Sequence, residues 1–218
     1  GRETGFLAGA SRYYDKDRKK PIVILLPEDL QDIDTILNFI EKKINTFDRC
    51  LVIISEGYYL GDIGKVVDAS GQKMYGSCKS TAAQLLVEKL ISNGIQSRVY
   101  LPTVLQRQDI NSTLKFDSEI AFLQGSYIVD QFSKGNSSFL ATIQKNNIFR
   151  NKKELISSIP FKNFSNYSRS MNKTFLDKNK FDVTDSYIDY LETILKVSIN
   201  KNEKYGFKKK FFDIKSDL

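Results

Sequence analysis

The chain has no histidine and no tryptophan, and only two cysteines, two methionines and four prolines in 218 residues. Without histidine there is no imidazole acid–base chemistry, so any catalysis must use carboxylates, lysines or groups from outside the chain. The lack of histidine and of a cysteine cluster also argues against a structural zinc site. Cys50 and Cys78 are too few for a disulfide framework, which points to a reducing, cytoplasmic setting. No apolar run approaches the roughly 20 residues of a membrane span, and the N-terminus has no signal-peptide pattern. What is present is an ordinary globular composition, 41% hydrophobic and 27% charged. The length suits one large domain or two small ones.

The formal net charge is +7. Attraction to nucleic acid, to an anionic membrane or to small phosphorylated ligands would each fit such an excess. The lysines are spread along the chain among asparagines and isoleucines, a mixture that often reflects composition alone. The densest run, Lys208-Lys209-Lys210, reads as a solvated tail. Neither a nucleic acid nor a membrane is therefore expected as a partner.

The opening Gly1-Arg2-Glu3-Thr4-Gly5-Phe6-Leu7-Ala8-Gly9-Ala10 reads as a helix that begins at once, without a capping lead-in, as if the sequence starts mid-domain. Pro21 to Leu26 reads as a buried strand closed by Pro27. Ile33, Ile36, Leu37, Ile40 and Ile44 recur at helical spacing. Leu51 to Ile54, four apolar residues with β-branching in the middle, suits a strand buried on both faces of a parallel sheet. Strand, helix and strand in this order predict a βαβ unit with a right-handed crossover. A polar, glycine-bearing stretch from Tyr58 to Ser77 is longer than most ordered connections. A helix over Thr81 to Ile91 follows, with Ala82, Leu86 and Leu90 on one face and Gly94 capping it. Ser97 to Leu101 reads as a short strand, and Pro102 to Asp109 as a turn. A second strong helix spans Phe116 to Phe132, with Phe116, Ile120, Leu123 and Tyr127 inward and Gly135 ending it. Ser138 to Ile143 reads as another strand. Beyond Asn151 the pattern thins to one helix near Ser186 to Leu195 and a basic, aromatic-dotted end. The class is α/β with a mostly parallel sheet and a C-terminal segment that wraps or pairs.

Three features point to a ligand. Arg2 follows a glycine at a helix start, where free N–H groups and the helix dipole favour an anion. Glu56 leaves the carboxyl end of a strand, where open α/β sheets bind ligands, and Gly57 lets the chain turn away. Arg107 lies just past another predicted strand, downstream of Arg98. A guanidinium fork donates two parallel hydrogen bonds to phosphate, and a carboxylate accepts them from sugar hydroxyls. Together these residues describe a phosphorylated-sugar site. Each alone has a plainer reading: a helix-surface arginine, a turn glutamate, a salt-bridging arginine.

The order of Gly-Arg-Glu-Thr-Gly-Phe-Leu-Ala, Pro-Ile-Val-Ile-Leu-Leu-Pro-Glu, Val-Ile-Ile-Ser-Glu-Gly and Val-Leu-Gln-Arg resembles the C-terminal half of a 6-phosphofructokinase. The stretches Asp68-Ala69-Ser70-Gly71-Gln72 and Asp182-Val183-Thr184-Asp185-Ser186-Tyr187-Ile188-Asp189-Tyr190 are similar to the pyrophosphate-dependent branch. The likeness runs in correct order from residue 1 to about residue 195. It implies a Rossmann-like three-layer α/β/α fold, a partial phosphofructokinase fold with a C-terminal extension. The implied division is 1–106 for the fructose 6-phosphate-binding domain, 107–150 for a segment returning to the donor domain and closing the sheet, and 151–218 for the extension.

The activity implied is phosphoryl transfer from pyrophosphate or ATP to the 1-hydroxyl of fructose 6-phosphate, in glycolysis and with magnesium. Dimers or tetramers of identical chains are implied as well. Gly1 and Arg2 match the end of the family's Met-Gly-Arg substrate motif. Glu56 matches the glutamate that hydrogen-bonds the sugar, and Arg107 the arginine that grips the 6-phosphate. Arg98 matches a basic residue reaching a sugar phosphate across a subunit boundary. The chain departs from the pattern at Val104, where the family usually has Tyr or His and gains one more substrate hydrogen bond. The glycine-rich donor loop, the magnesium aspartate and the Thr-Ile-Asp base have no match in these residues, so they and the metal ligands are expected upstream of Gly1. Phosphoryl transfer needs positioning, metal and a base. These residues supply acceptor-side positioning, which leaves a non-catalytic regulatory paralogue as the alternative.

Overall fold

The computed structural model of the chain describes residues 3–61, 69, 80–102, 115–144, 155–163 and 169–198. By backbone contacts it separates into two units: Gly1–Leu101 with Tyr167–Leu191, and Pro102–Asn166 with Glu192–Leu218. In the first unit, a short helix α1 (Phe6–Ala10) runs into a 3-10 turn (Ser11–Asp15) and then strand β1 (Ile22–Leu25). Helix α2 (Ile33–Phe47) leads to strand β2 (Leu51–Ile54), which pairs with β1 in parallel, Ile22 opposite Leu51 and Leu25 opposite Ile54. The predicted strand–helix–strand unit is thus present.

The two strands differ in burial. All of β1 is buried, and its alternating side chains feed two cores, as the two-residue period of a strand requires. Ile22, Ile24 and Leu26 pack with Ala8, Met171, Leu176, Val183, Tyr187 and Ile188. Val23 and Leu25 pack on the other side with Ile36, Ile40, Tyr58, Ala82, Leu86 and Leu90. In contrast, β2 is only partly covered, and Leu51 is 57% exposed. The expectation of burial on both faces belongs to β1: among the described residues β2 has a ladder with β1 alone, whereas Ile24 N–H of β1 also donates to Phe181 O at 2.8 Å.

Caps end α2 and α3, and Gly94 does so where the sequence places it. Asp32 accepts from Thr35 N at 2.8 Å at the head of α2. Helix α3 (Ala82–Ser92) opens with a reciprocal box, Gln84 N to Thr81 Oγ1 and Thr81 N to Gln84 Oε1, which satisfies two otherwise orphan donors. It ends at Gly94, whose φ of +79° suits glycine. Gly94 N–H returns to Ile91 O and Ile95 N–H to Leu90 O, the paired bonds of a Schellman motif. The helix predicted to begin at Gly1 begins at Phe6, after a turn at Thr4 and Gly5. The strand expected over Ser97 to Leu101 is irregular chain with Val99, Tyr100 and Leu101 exposed. Apolar residues make a strand only where a neighbour offers ladder partners, and no ladder is described there.

The second unit holds helix α4 (Lys115–Ser133) and the antiparallel pair β3 (Phe139–Ile143) and β4 (Ile156–Pro160). Ile120 is buried, and Phe116, Leu123 and Tyr127 pack with it against Leu155, Ile156 and Ala141, the face expected from helical spacing. Strand β4 lies in the stretch where the sequence pattern thins. Back in the first unit, β5 (Leu176–Asp177) and β6 (Asp182–Val183) pair antiparallel, and helix α5 (Asp185–Ser198) begins there, with Glu192 onward counted in the second unit. The described ladders are one parallel and two antiparallel pairs.

Residues 171–191 are a strap across the first unit. Arg12, 1% exposed, is held by Asp182 and Asp15 at 2.8 and 2.7 Å. Tyr187, fully buried, donates its hydroxyl to Phe6 O. Gly9 permits that approach, since a Cβ there would lie 3.0 Å from both Tyr187 and Val183.

The two cores make stability sensitive to alkali. Burial pushes the Cys50 thiol up to about 11, against the pull of Lys43. Burial also raises the hydroxyls of Tyr58 and Tyr187. Unfolded, the thiol ionises near 9.0 and the phenols near 10.0. The native state then keeps protons that the unfolded chain releases, so this contribution is full below about pH 9 and is lost as pH climbs. Urea midpoints of the first unit should hold steady up to about pH 9 and fall between about pH 9 and 11. A flat profile through pH 11 would contradict it.

Candidate acceptor site at the end of β2

At the carboxyl end of β2 the chain is pinned by Ser55, which is buried. Its N–H donates to Leu25 O at 3.1 Å, and its carbonyl accepts from Tyr58 N at 3.0 Å. Its Oγ donates to Thr4 O at 3.3 Å. Tyr58 is itself fully buried and accepts from Gln31 N through its hydroxyl at 3.1 Å. Between these two anchors sit Glu56 and Gly57 on the turn. The Glu56 carboxylate is exposed and has no ion pair among the described residues. A carboxylate held at the backbone and open at the side chain is suited to accept hydrogen bonds from a ligand.

The Ser55–Thr4 bond also joins the end of β2 to the chain just before Gly5. Thr4 is buried at 5% exposure. Gly5 N–H donates to both Glu28 oxygens at 3.0 Å. Gly1, Arg2, Val104 and Arg107 lie outside the described residues, as does the Asp68–Gln72 motif apart from Ala69. Arg98 is exposed on the irregular chain after α3, and no described contact joins it to Glu56.

The late motif has structural work in this chain. Asp182 accepts from Arg12, Thr184 Oγ1 donates to Thr174 O at 2.7 Å, and Tyr187 bonds Phe6. Glu28, Arg12 and Tyr187 were not singled out from the sequence. Arg12 and Asp15, one helical turn apart, offered a local hint of an ion pair, but Glu28 had no local partner to betray it. Among the described residues there is no group of three or more carboxylate, thiol or imidazole side chains able to hold a metal ion. No described helix is long and apolar enough to cross a membrane.

The chain has a partial phosphofructokinase fold, matching about half of a solved one. A pyrophosphate-dependent phosphofructokinase from Nitrosospira multiformis superposes with a TM-score of 0.63 at 22% identity, over 95% of this chain and 50% of that one. In sequence, the chain is a partial match to pyrophosphate-dependent phosphofructokinases, corresponding to their C-terminal half. It is 26% identical over 203 residues to the pyrophosphate–fructose 6-phosphate 1-phosphotransferase of Xanthomonas campestris pv. campestris, covering 90% of this chain and 48% of the relative. It is also 26% identical over 203 residues to the sulfofructose kinase of Alkalicoccus urumqiensis, covering 89% and 49%. The chain therefore spans about half the length of the curated relatives it matches. No protein-family model matches it.

Proposed function

We propose that these residues are the acceptor-binding half of a phosphofructokinase that passes a phosphoryl group from pyrophosphate, or ATP, to the 1-hydroxyl of fructose 6-phosphate. The observation that carries this is the pinned end of β2. Ser55 fixes the backbone on both sides of Glu56 and draws the opening segment to it, in a chain whose relatives are named as phosphotransferases of that sugar phosphate. Glu56 accepts from sugar hydroxyls, Arg107 forks onto the 6-phosphate, and Gly1 and Arg2 complete the acceptor side. Arg98 serves a second subunit. Charge-assisted bonds contribute about 1.5–3 kcal/mol each, enough to hold a phosphorylated sugar in one orientation. That orientation is the contribution to rate, since the acceptor hydroxyl must stay aligned while the phosphoryl group arrives. The base, the donor loop and the magnesium ligands belong to the donor side.

Calorimetric titration of the 218-residue chain with fructose 6-phosphate tests this, with sulfofructose run alongside. Binding is expected for the wild type, weakened about tenfold by Glu56→Ala, the scale of one lost charge-assisted bond. No transfer from pyrophosphate is expected with these residues alone. Measurable turnover would overturn the acceptor-only assignment, and unchanged affinity in Glu56→Ala would remove Glu56 from the site.

Val104 favours a second reading, a regulatory paralogue that binds the sugar phosphate without turning it over. An intact Thr-Ile-Asp motif in the full-length protein goes with catalysis, and a replaced aspartate with regulation.

A further inference from the structure

Glu28 follows the exit of β1, and its half-buried carboxylate gathers three contacts from two distant backbone N–H groups. Gly5 N–H lies 3.0 Å from each oxygen, and Met171 N–H lies 3.0 Å from Oε1. Gly5 and Met171 are separated from it by 23 and 143 positions in sequence. The packing around Gly5 is tight: a Cβ there would lie 2.7 Å from Leu26, 2.8 Å from Glu28 and 2.9 Å from the Met171 sulfur. One residue later, Phe6 O takes the Tyr187 hydroxyl. The opening segment is thus gripped between the exit of β1 and the C-terminal strap. Thr4, adjoining the grip, presents its carbonyl to Ser55 beside Glu56.

We propose that Glu28 is a positioning residue: by tying Gly5 to Met171, it sets the opening segment against the end of β2 where the acceptor sugar binds. This rests on the function proposed above. Glu28 touches no substrate atom; it acts through the backbone of Thr4 and Gly5. A carboxylate suits the task because both oxygens accept. Glutamine keeps one accepting oxygen, which can still serve Gly5 and Met171, but its amide group turns a donor toward another N–H. Alanine removes every contact and leaves two part-buried donors unsatisfied.

The test compares wild type, Glu28→Gln and Glu28→Ala at a temperature where circular dichroism shows all three folded. Two readouts are taken: the fructose 6-phosphate dissociation constant and amide exchange at Gly5 and Met171. In the wild type both amides should be protected. Alanine should lose that protection and weaken binding by about tenfold or more. Glutamine should restore most of the affinity, a rescue that a strut unrelated to the site would not show. Wild-type affinity in folded Glu28→Ala, or an unprotected Gly5 amide in the wild type, would overturn the proposal. Should alanine not fold, the glutamine variant and wild-type exchange decide it. If the wild type binds no fructose 6-phosphate, the proposed function falls, while exchange at Gly5 still decides whether Glu28 is the clamp.

Discussion

Asp182→Ala should destabilise the first unit by about 3–5 kcal/mol, the scale for removing one partner of a buried ion pair. Asp182 is the shared ion-pair partner of two arginines. Its Oδ1 accepts from Arg12 Nε at 2.9 Å and from Val183 N at 2.8 Å. Its Oδ2 lies 2.8 Å from Arg12 Nη2 and 3.6 Å from Arg18 Nε. Arg12 also donates to Asp15 at 2.7 Å and to Ile22 O at 3.2 Å, so every face of its guanidinium is spoken for inside the protein. Asp15 in turn accepts from the N–H groups of Lys19 and Lys20. After the substitution Arg12 has one carboxylate left and little water within reach, because its side chain is only 1% exposed. The outer pair of Arg18 with Asp185, whose side chain is 83% exposed, should matter far less. Urea unfolding gives the measurement, as a lower midpoint at unchanged slope. A loss below about 1 kcal/mol would place the network with ordinary surface pairs.

The second large effect is on the site. On the proposed function, Arg107→Ala should raise the KM of the active enzyme for fructose 6-phosphate about tenfold or more, as expected for losing one charge-assisted bond to the 6-phosphate. On the proposed function that interaction would hold the phosphate in ground state and transition state alike, so kcat should change less than KM. Arg107→Lys should recover only part of the loss, because an ammonium is a point charge and cannot reproduce the two-pronged fork. An unchanged KM would remove Arg107 from the site.

Local chemistry made much of the fold legible. The apolar run of β1, the helical spacing of Ile36 and Ile40, and the glycine after α3 all act over a few residues. The structure has elements at those places. The inward face of α4 was readable for the same reason. Burial of β2 was not, because an apolar run reports what a strand can bury and its neighbours determine what it does bury. Ser97 to Leu101 shows the same limit, with strand-forming residues and no described ladder. Strand β4 shows the converse, since Ile156–Pro160 has two serines in five residues and gains its order from pairing with β3. In the site, the chemical type of Glu56 and its position at a strand end were plain from sequence. Its anchoring was hidden, since the Ser55–Thr4 bond joins residues 51 positions apart.

By itself, then, the sequence determined the α/β class, the strand–helix–strand frame, the glycine that caps α3 and the placement of a glutamate at the carboxyl end of β2. These follow from side-chain periodicity and backbone preference, forces that act within a turn or two. The tertiary structure alone decided that β1 separates two cores, that Asp182 neutralises Arg12 from 170 positions away, and that Glu28 ties Gly5 to Met171. Those choices belong to chain closure. A buried charge or an orphan N–H must be satisfied by whatever group the fold brings near, and proximity in space leaves no mark on neighbours in sequence.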